Sequence, residues 1–163
     1  MRDDDEVDLL VDAWADRLPG VDFTPLDVMS RLRRVALRLN DLRASAFRDA
    51  ELSSWEFDVL AALRRAQPPH EMSPMELSRA TMIGTAAMSN RLENLAARDL
   101  IARKPNPNDG RSNLARLTPS GIARVDAAMV ALVRLEAEEL QVLTPHQQSE
   151  LAALLRLLGG TPG

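Results

Sequence analysis

Apolar residues recur along the chain at helical spacing. Leu26, Met29, Leu32, Val35, Leu39 and Leu42 fall three or four residues apart, and Leu151, Leu154, Leu155 and Leu158 near the other end follow the i, i+3, i+4, i+7 pattern. Both stretches predict amphipathic helices with one apolar stripe. Between them, helix starts are marked by a hydroxyl residue followed by proline, or by a carboxylate or amide partner three residues on. Thr24-Pro25, Ser53 with Glu56, Ser73-Pro74 with Glu76, Thr118-Pro119 and Thr144-Pro145 with Gln147 all fit. Such a hydroxyl accepts from an unpaired N–H of the first turn, and proline loses nothing at a position whose N–H has no helical partner. With an amino-terminal segment and a helix from Thr85 to Arg98, seven helices are expected.

The segment from Ser73 to Thr118 has the most specific order. A short capped helix runs from Ser73 to about Ala80 and is broken by Thr81-Met82-Ile83-Gly84, where the glycine is expected to take the backbone angles closed to other residues. The next helix places Leu92, Leu95 and Ala96 toward a core and Thr85, Ser89, Asn90 and Arg91 on its early turns. Two short strands, 100–103 and 113–117, then flank a turn from Lys104 to Arg111 that holds two prolines and an Asp-Gly pair. Helix, turn, helix and hairpin make the plan of a winged helix-turn-helix, mainly α with a small β-hairpin wing. In that plan Thr85, Ser89, Asn90 and Arg91 meet the major groove of double-stranded DNA, and Lys104 and Arg111 meet phosphates or the minor groove. Ala86 and Ala87 make the recognition face less polar, which shifts weight toward contacts with thymine methyl groups.

The charge of −4 opposes nucleic-acid binding only until it is divided along the chain. Residues 75–124 hold eight Lys or Arg against four Asp or Glu, a balance of +4, whereas the rest holds 12 against 20. Basic charge thus gathers where phosphate would lie, and residues 1–16 carry seven acidic side chains against one arginine. The 163 residues include no cysteine, signal peptide or membrane-length apolar run. A soluble, cytoplasmic chain without disulfides, thiol catalysis or membrane association is expected. His70 and His146 are far apart and outside any metal-ligand spacing, and no phosphate loop or nucleophile elbow is present, so neither an enzyme nor a cofactor or metal site is expected. Met29, Met72, Met75, Met82 and Met88 read as packing residues.

The helices around Ser73 to Arg98, the wing Asn108-Asp109-Gly110-Arg111-Ser112 and the following Leu117-Thr118-Pro119-Ser120-Gly121 resemble the multiple-antibiotic-resistance regulator (MarR) family across nearly the whole chain. That resemblance implies an obligate homodimer that represses transcription from a pseudo-palindromic operator and releases it on binding a small anionic or aromatic ligand. Asp109 would position Arg111 in the wing. The acidic amino-terminal helix through Trp14 and the block Ser54–Arg65 narrow the resemblance to the urate-responsive, PecS-type branch. The branch carries an extra amino-terminal helix and a ligand quartet, for which the matching residues are Trp14, Asp58, Arg65 and Arg91.

The implied organisation is 1–50 for the amino-terminal helices with dimerisation and ligand pocket, 51–118 for the winged helix-turn-helix, and 119–163 for carboxy-terminal dimerisation helices. Asp58 and Arg65 lie two turns apart on one helix face, about 10.5 Å along the axis. Arg65 suits an anionic oxygen, Asp58 ring N–H groups, and Trp14 the face of a purine. As residues alone they also read plainly: Trp14 as a core tryptophan, Asp58 and Arg65 as surface charges with separate neighbours, Arg91 as a phosphate contact. The apolar stripes equally suit a dimer interface or a closed monomeric core. Urate or a related purine, an aromatic acid and a carboxylate metabolite all remain as effectors, and a winged-helix protein-interaction module without specific DNA binding is the competing class.

Overall fold

The seven expected helices form, and local capping accounts for where all but α5 start. The computed structural model describes residues 5–107 and 109–160, with the side chains of residues 109–112 outside that set. Two units divide the chain, residues 1–43 and 44–163.

The first unit contains α1 (Glu6–Arg17) and most of α2 (Thr24–Arg48). Asp5 opens α1: its carboxylate accepts from the N–H groups of Val7 and Asp8, and Asp8 accepts in return from the Asp5 N–H. Arg31 of α2 reaches Asp5 and Asp8 at 2.9 Å each, and Arg34 pairs with Glu6. The acidic start of the chain is thereby held against the basic face of its neighbouring helix. Asp22, rather than Thr24, caps α2, because its Oδ1 accepts from the Thr24 N–H at 2.9 Å and the Thr24 hydroxyl at 2.6 Å. An aspartate two residues ahead makes this local turn more strongly than a hydroxyl can, so Thr24 becomes the first helical residue.

The second unit carries α3 (Ser54–Arg65), β1 (Glu71–Met72), α4 (Pro74–Thr81), α5 (Thr85–Ala97), β2 (Ile101–Asn106), β3 (Asp109–Leu117), α6 (Pro119–Glu139), a single 3-10 turn (Leu140–Val142) and α7 (Pro145–Gly159). Phe47 and Phe57 stack at 4.1 Å in a core that also buries Leu60, Leu63, Leu77, Met88, Leu92 and Leu95. Each such side chain contributes about 1.5–3 kcal/mol relative to exposure. Met88 is the packing methionine of the set, whereas Met29, Met75 and Met82 are exposed. No described helix is long and apolar enough to cross a membrane.

The turn between α4 and α5 differs from expectation. Met82, with φ 55° and ψ 28°, takes the left-handed conformation, and Gly84, with φ −59° and ψ 147°, is the N-cap of α5. The Met82 and Ile83 N–H groups both donate to the Ser78 carbonyl, satisfying a helix-end acceptor at a position where glycine is the usual choice.

The wing is also tighter than expected. The sheet order is β1-β3-β2, with Ile101 opposite Leu117, Lys104 opposite Leu114 and Asn106 opposite Asp109 across a register shift after Pro105. Two residues therefore separate the paired strands instead of the long turn read from Lys104 to Arg111. Pro105 lies within β2, an edge strand of this sheet, next to the register shift, the kind of place in a sheet where proline is tolerated. β1 is too short for any periodicity to reveal, and pairs through Glu71 with Arg116 and Met72 with Ala115.

Strand β3 passes into α6 through the Leu117-Thr118-Pro119-Ser120-Gly121 sequence. Thr118 accepts from the Gly121 N–H at 2.9 Å through the hydroxyl that also donates to the Asp99 carbonyl at 2.7 Å. A Cβ at Gly121 would collide with the Leu100 carbonyl oxygen and press on Leu117 Cδ2. Gly121→Ala is expected to lower stability by about 1–3 kcal/mol through overpacking. A urea titration followed by circular dichroism measures it, and an unchanged midpoint would refute the close approach.

Candidate nucleic-acid interface

α5 divides into two faces. Met88, Leu92 and Leu95 are buried, whereas Thr85, Ala86, Ala87, Ser89 and Asn90 are exposed on the opposite side near the start of the helix. The Ser89 hydroxyl also donates to the Thr85 carbonyl at 3.4 Å, a contact long enough to be exchanged for an external acceptor. The exposed polar groups thus stand on a helix whose other side is fixed in the core.

The far end of α5 is held by a charged network. The Arg98 guanidinium pairs with Glu56 and donates to the Glu51 carbonyl at 2.6 Å. Glu56 is only 6% exposed, and its carboxylate also accepts from the Ser53 N–H and hydroxyl at 2.8 Å. Burial pushes the Glu56 carboxyl up, but hydrogen bonds from Ser53 and Arg98 together with the Arg98 charge outweigh it and hold the group below the ordinary glutamate range. From α6, Arg124 donates to the Ala50 carbonyl at 3.1 Å and to Glu51 Oε2 at 2.6 Å. The segment before α3, the end of α5 and the middle of the second unit are tied together by these arginines.

Arg91 is half-buried, with its guanidinium carbon 5.1 Å from the centre of the Trp55 ring on the first turn of α3. Lys104 is exposed on β2, the strand that carries the wing toward its tip. Asp109 and Arg111 belong to β3, and their side chains lie outside the described residues.

Of the residues matched to a ligand quartet, Trp14 stands in the first unit. It is 49% exposed, stacks on Phe23 with ring centres 6.3 Å apart, and lines an open cavity of about 380 Å³ with Leu10, Ala13 and Arg17. Asp58 is half-buried and Arg65 exposed, both on α3. Arg65 borders a small cavity of about 70 Å³ beside Arg64, Asp126 and Met129. There Arg64 holds Asp126 through two bonds of 2.9 and 3.2 Å, joining α3 to α6. The structure thus gathers Asp58, Arg65 and the indole beneath Arg91 onto a single helix. Trp55, Arg98 and the Arg64–Asp126 pair escaped sequence reasoning, since their partners lie dozens of residues away and leave no periodic signal, and Arg17 was passed over although it follows Trp14 by three residues on α1.

A family model described as MarR family matches residues 51–112. The HTH-type transcriptional regulator PecS of Dickeya dadantii is 32% identical over 154 residues, spanning 94% of this chain and 91% of PecS. The chain belongs to the MarR family. Among solved MarR-family structures, Bordetella bronchiseptica BpsR, whose DNA binding is regulated by 6-hydroxynicotinic acid, aligns with a TM-score of 0.72 at 28% identity, covering 87% of this chain and 99% of BpsR. An E. coli MarR variant complexed with operator DNA aligns at 0.71 with 25% identity, covering 85% of this chain and 99% of that one. These MarR-type relatives share the winged helix-turn-helix, and PecS and the Pseudomonas putida NicR are named as a transcriptional regulator and a transcriptional repressor.

Because the Glu56 value is depressed in the folded protein, its stabilisation is complete above the ordinary glutamate range and is lost as pH falls through the depressed value. Glu56→Gln is expected to cost about 1.5–3 kcal/mol at pH 7 by weakening charge-assisted hydrogen bonds. Its deficit relative to the parent should shrink in acid. Urea unfolding at pH 7 and pH 4 measures both values, and an equal deficit at the two would contradict the assignment.

Proposed function

We propose that the protein is a homodimeric, ligand-responsive transcriptional regulator that represses from a pseudo-palindromic DNA operator. The observation that carries this reading is α5, whose exposed early residues Thr85, Ser89 and Asn90 project from a helix anchored in the core by Met88, Leu92 and Leu95. Arg91 joins them for the major groove, and Lys104 and Arg111 supply the wing's positive charge, with Asp109 positioning Arg111. The operator-bound MarR relative supports this use of the fold.

A second copy is the partner that the apolar helices require. α7 has no buried residue, and its Leu154, Leu157 and Leu158 are exposed, Leu157 at 80%. Val130 and Val133 of α6 are exposed as well. Exposed apolar side chains in that number suit an association surface. A symmetric pair would present two α5 helices to half-sites about 34–36 Å apart. The dimer should elute at twice the 18.0 kDa chain mass in light-scattering chromatography. Leu157→Glu with Leu158→Glu should shift it to monomer, and a monomeric parent would refute the assembly.

Urate or a related planar anion is the proposed effector, with Trp14 offering a ring face, Arg65 a guanidinium for an anionic oxygen, and Asp58 an acceptor for ring N–H groups. Arg91 links such a ligand to DNA, because a change of partner there alters the recognition helix itself. The BpsR relative, regulated by a small aromatic acid, supports a ligand of this class. A gel shift on the DNA flanking the protein's own gene, with urate titrated beside 6-hydroxynicotinic acid, tests the reading. Specific binding released by urate supports it in full. Release by the other acid alone replaces the ligand, and absence of specific binding favours a protein-interaction role. Trp14→Ala and Arg65→Ala should each raise the urate needed for release at least tenfold while DNA affinity changes less than threefold; an unchanged response in both would remove them from the ligand site.

A further inference from the structure

We infer that Trp55 is a positioning residue for DNA binding, an indole platform that holds the Arg91 guanidinium in place while leaving its charge unspent. The inference deepens the DNA-binding reading above and rests on it. Arg31, Arg34, Arg64, Arg98, Arg124 and Arg134 each lie against a carboxylate. Among the described residues, the partner of Arg91 is instead the ring of Trp55, 5.1 Å from the guanidinium carbon. A carboxylate would fix the side chain and also cancel its charge. An aromatic face attracts the cation through its quadrupole but carries no net charge and leaves guanidinium donors available to another acceptor. Arg91 follows Ser89 and Asn90 on the exposed part of α5, where a phosphate would supply that acceptor.

The platform is itself firmly seated. Trp55 is half-buried in the first turn of α3, next to Glu56, whose capping bonds to Ser53 and pairing with Arg98 fix that turn. Its neighbours Phe57 and Leu60 are buried in the core. Contact with such a rigid ring restricts the rotamers of a long arginine before DNA arrives, so less freedom is lost on binding. Asp58 stands one turn further along the same helix face. A ligand that engaged Asp58 would therefore act beside the surface on which Arg91 rests.

A double-mutant cycle on operator DNA, read as affinity and its dependence on salt, tests this. Arg91→Ala should weaken binding about tenfold and reduce the salt slope by about one. Trp55→Leu should reproduce a substantial part of both effects, at least threefold in affinity, although it removes no charge. The double variant should bind no more weakly than Arg91→Ala, and Trp55→Phe, which keeps an aromatic face, should recover most of the affinity. Circular dichroism melts establish which variants are folded, and Trp55→Met with Arg91→Ala supplies the cycle if Trp55→Leu is not. Multiplying, independent losses, or an unchanged salt slope in the folded Trp55→Leu or Trp55→Met variant, would overturn the inference. If the parent binds specifically and Lys104→Ala lowers its salt slope while Trp55→Leu has no effect, the regulator reading stands and the platform falls. A parent without specific DNA binding removes both.

Discussion

One buried carboxylate organises the second unit around the recognition helix. Glu56 caps α3, accepts from Ser53 and pairs with Arg98 at the carboxyl end of α5, while Arg98 also holds the Glu51 carbonyl. Removing Arg98 would leave the buried Glu56 carboxylate without its ion pair, supported only by Ser53. The end of α5 is consequently fixed with reference to the start of α3, the turn on which Trp55 meets Arg91. Close packing at Gly121 performs the matching task on the other side, bringing α6 against the Leu100 carbonyl that follows α5. Two structural constraints thus hold the helix that would read DNA.

The distribution of apolar surface is what supports the proposal that a second chain takes part in reading DNA. In the second unit the core around Phe47, Phe57 and Leu92 is filled, yet α7 contributes no buried residue and leaves a row of leucines exposed. Such a row is costly in water and becomes favourable when two copies cover each other. Duplication would also turn a modest interface from one short helix into two linked contacts, with each losing less entropy once the other has formed. Any ligand that altered the separation of the paired helices would then weaken both contacts together. Dimerisation, operator symmetry and ligand release are in that sense one mechanical problem.

Much of the helical plan was legible because capping is local. Ser53 with Glu56, Ser73 with Glu76 and Thr144 with Gln147 mark helix starts within four residues, and the structure forms all three boxes. Residues facing outward from α5 were legible for the same reason, through the spacing of Leu92, Leu95 and Ala96. Propensity favours Gly84 for the left-handed residue between α4 and α5, whereas hydrogen bonding to Ser78 places it at Met82. The wing was read as a long turn because Pro105 signals a break, and only the sheet order reveals that its strand is an edge. Pairs such as Arg98 with Glu56, Arg64 with Asp126 and Arg91 with Trp55 arise from folding distant segments together, so no local spacing announces them.

The central claim is that two copies of α5 read two turns of one DNA face. Hydroxyl-radical footprinting of the protein on the DNA beside its own gene tests it most directly. The account predicts two protected half-sites with centres about one helical turn apart on the same face, related by an approximate dyad. A single protected patch without a dyad, or uniform protection that shows no preferred site, would contradict it.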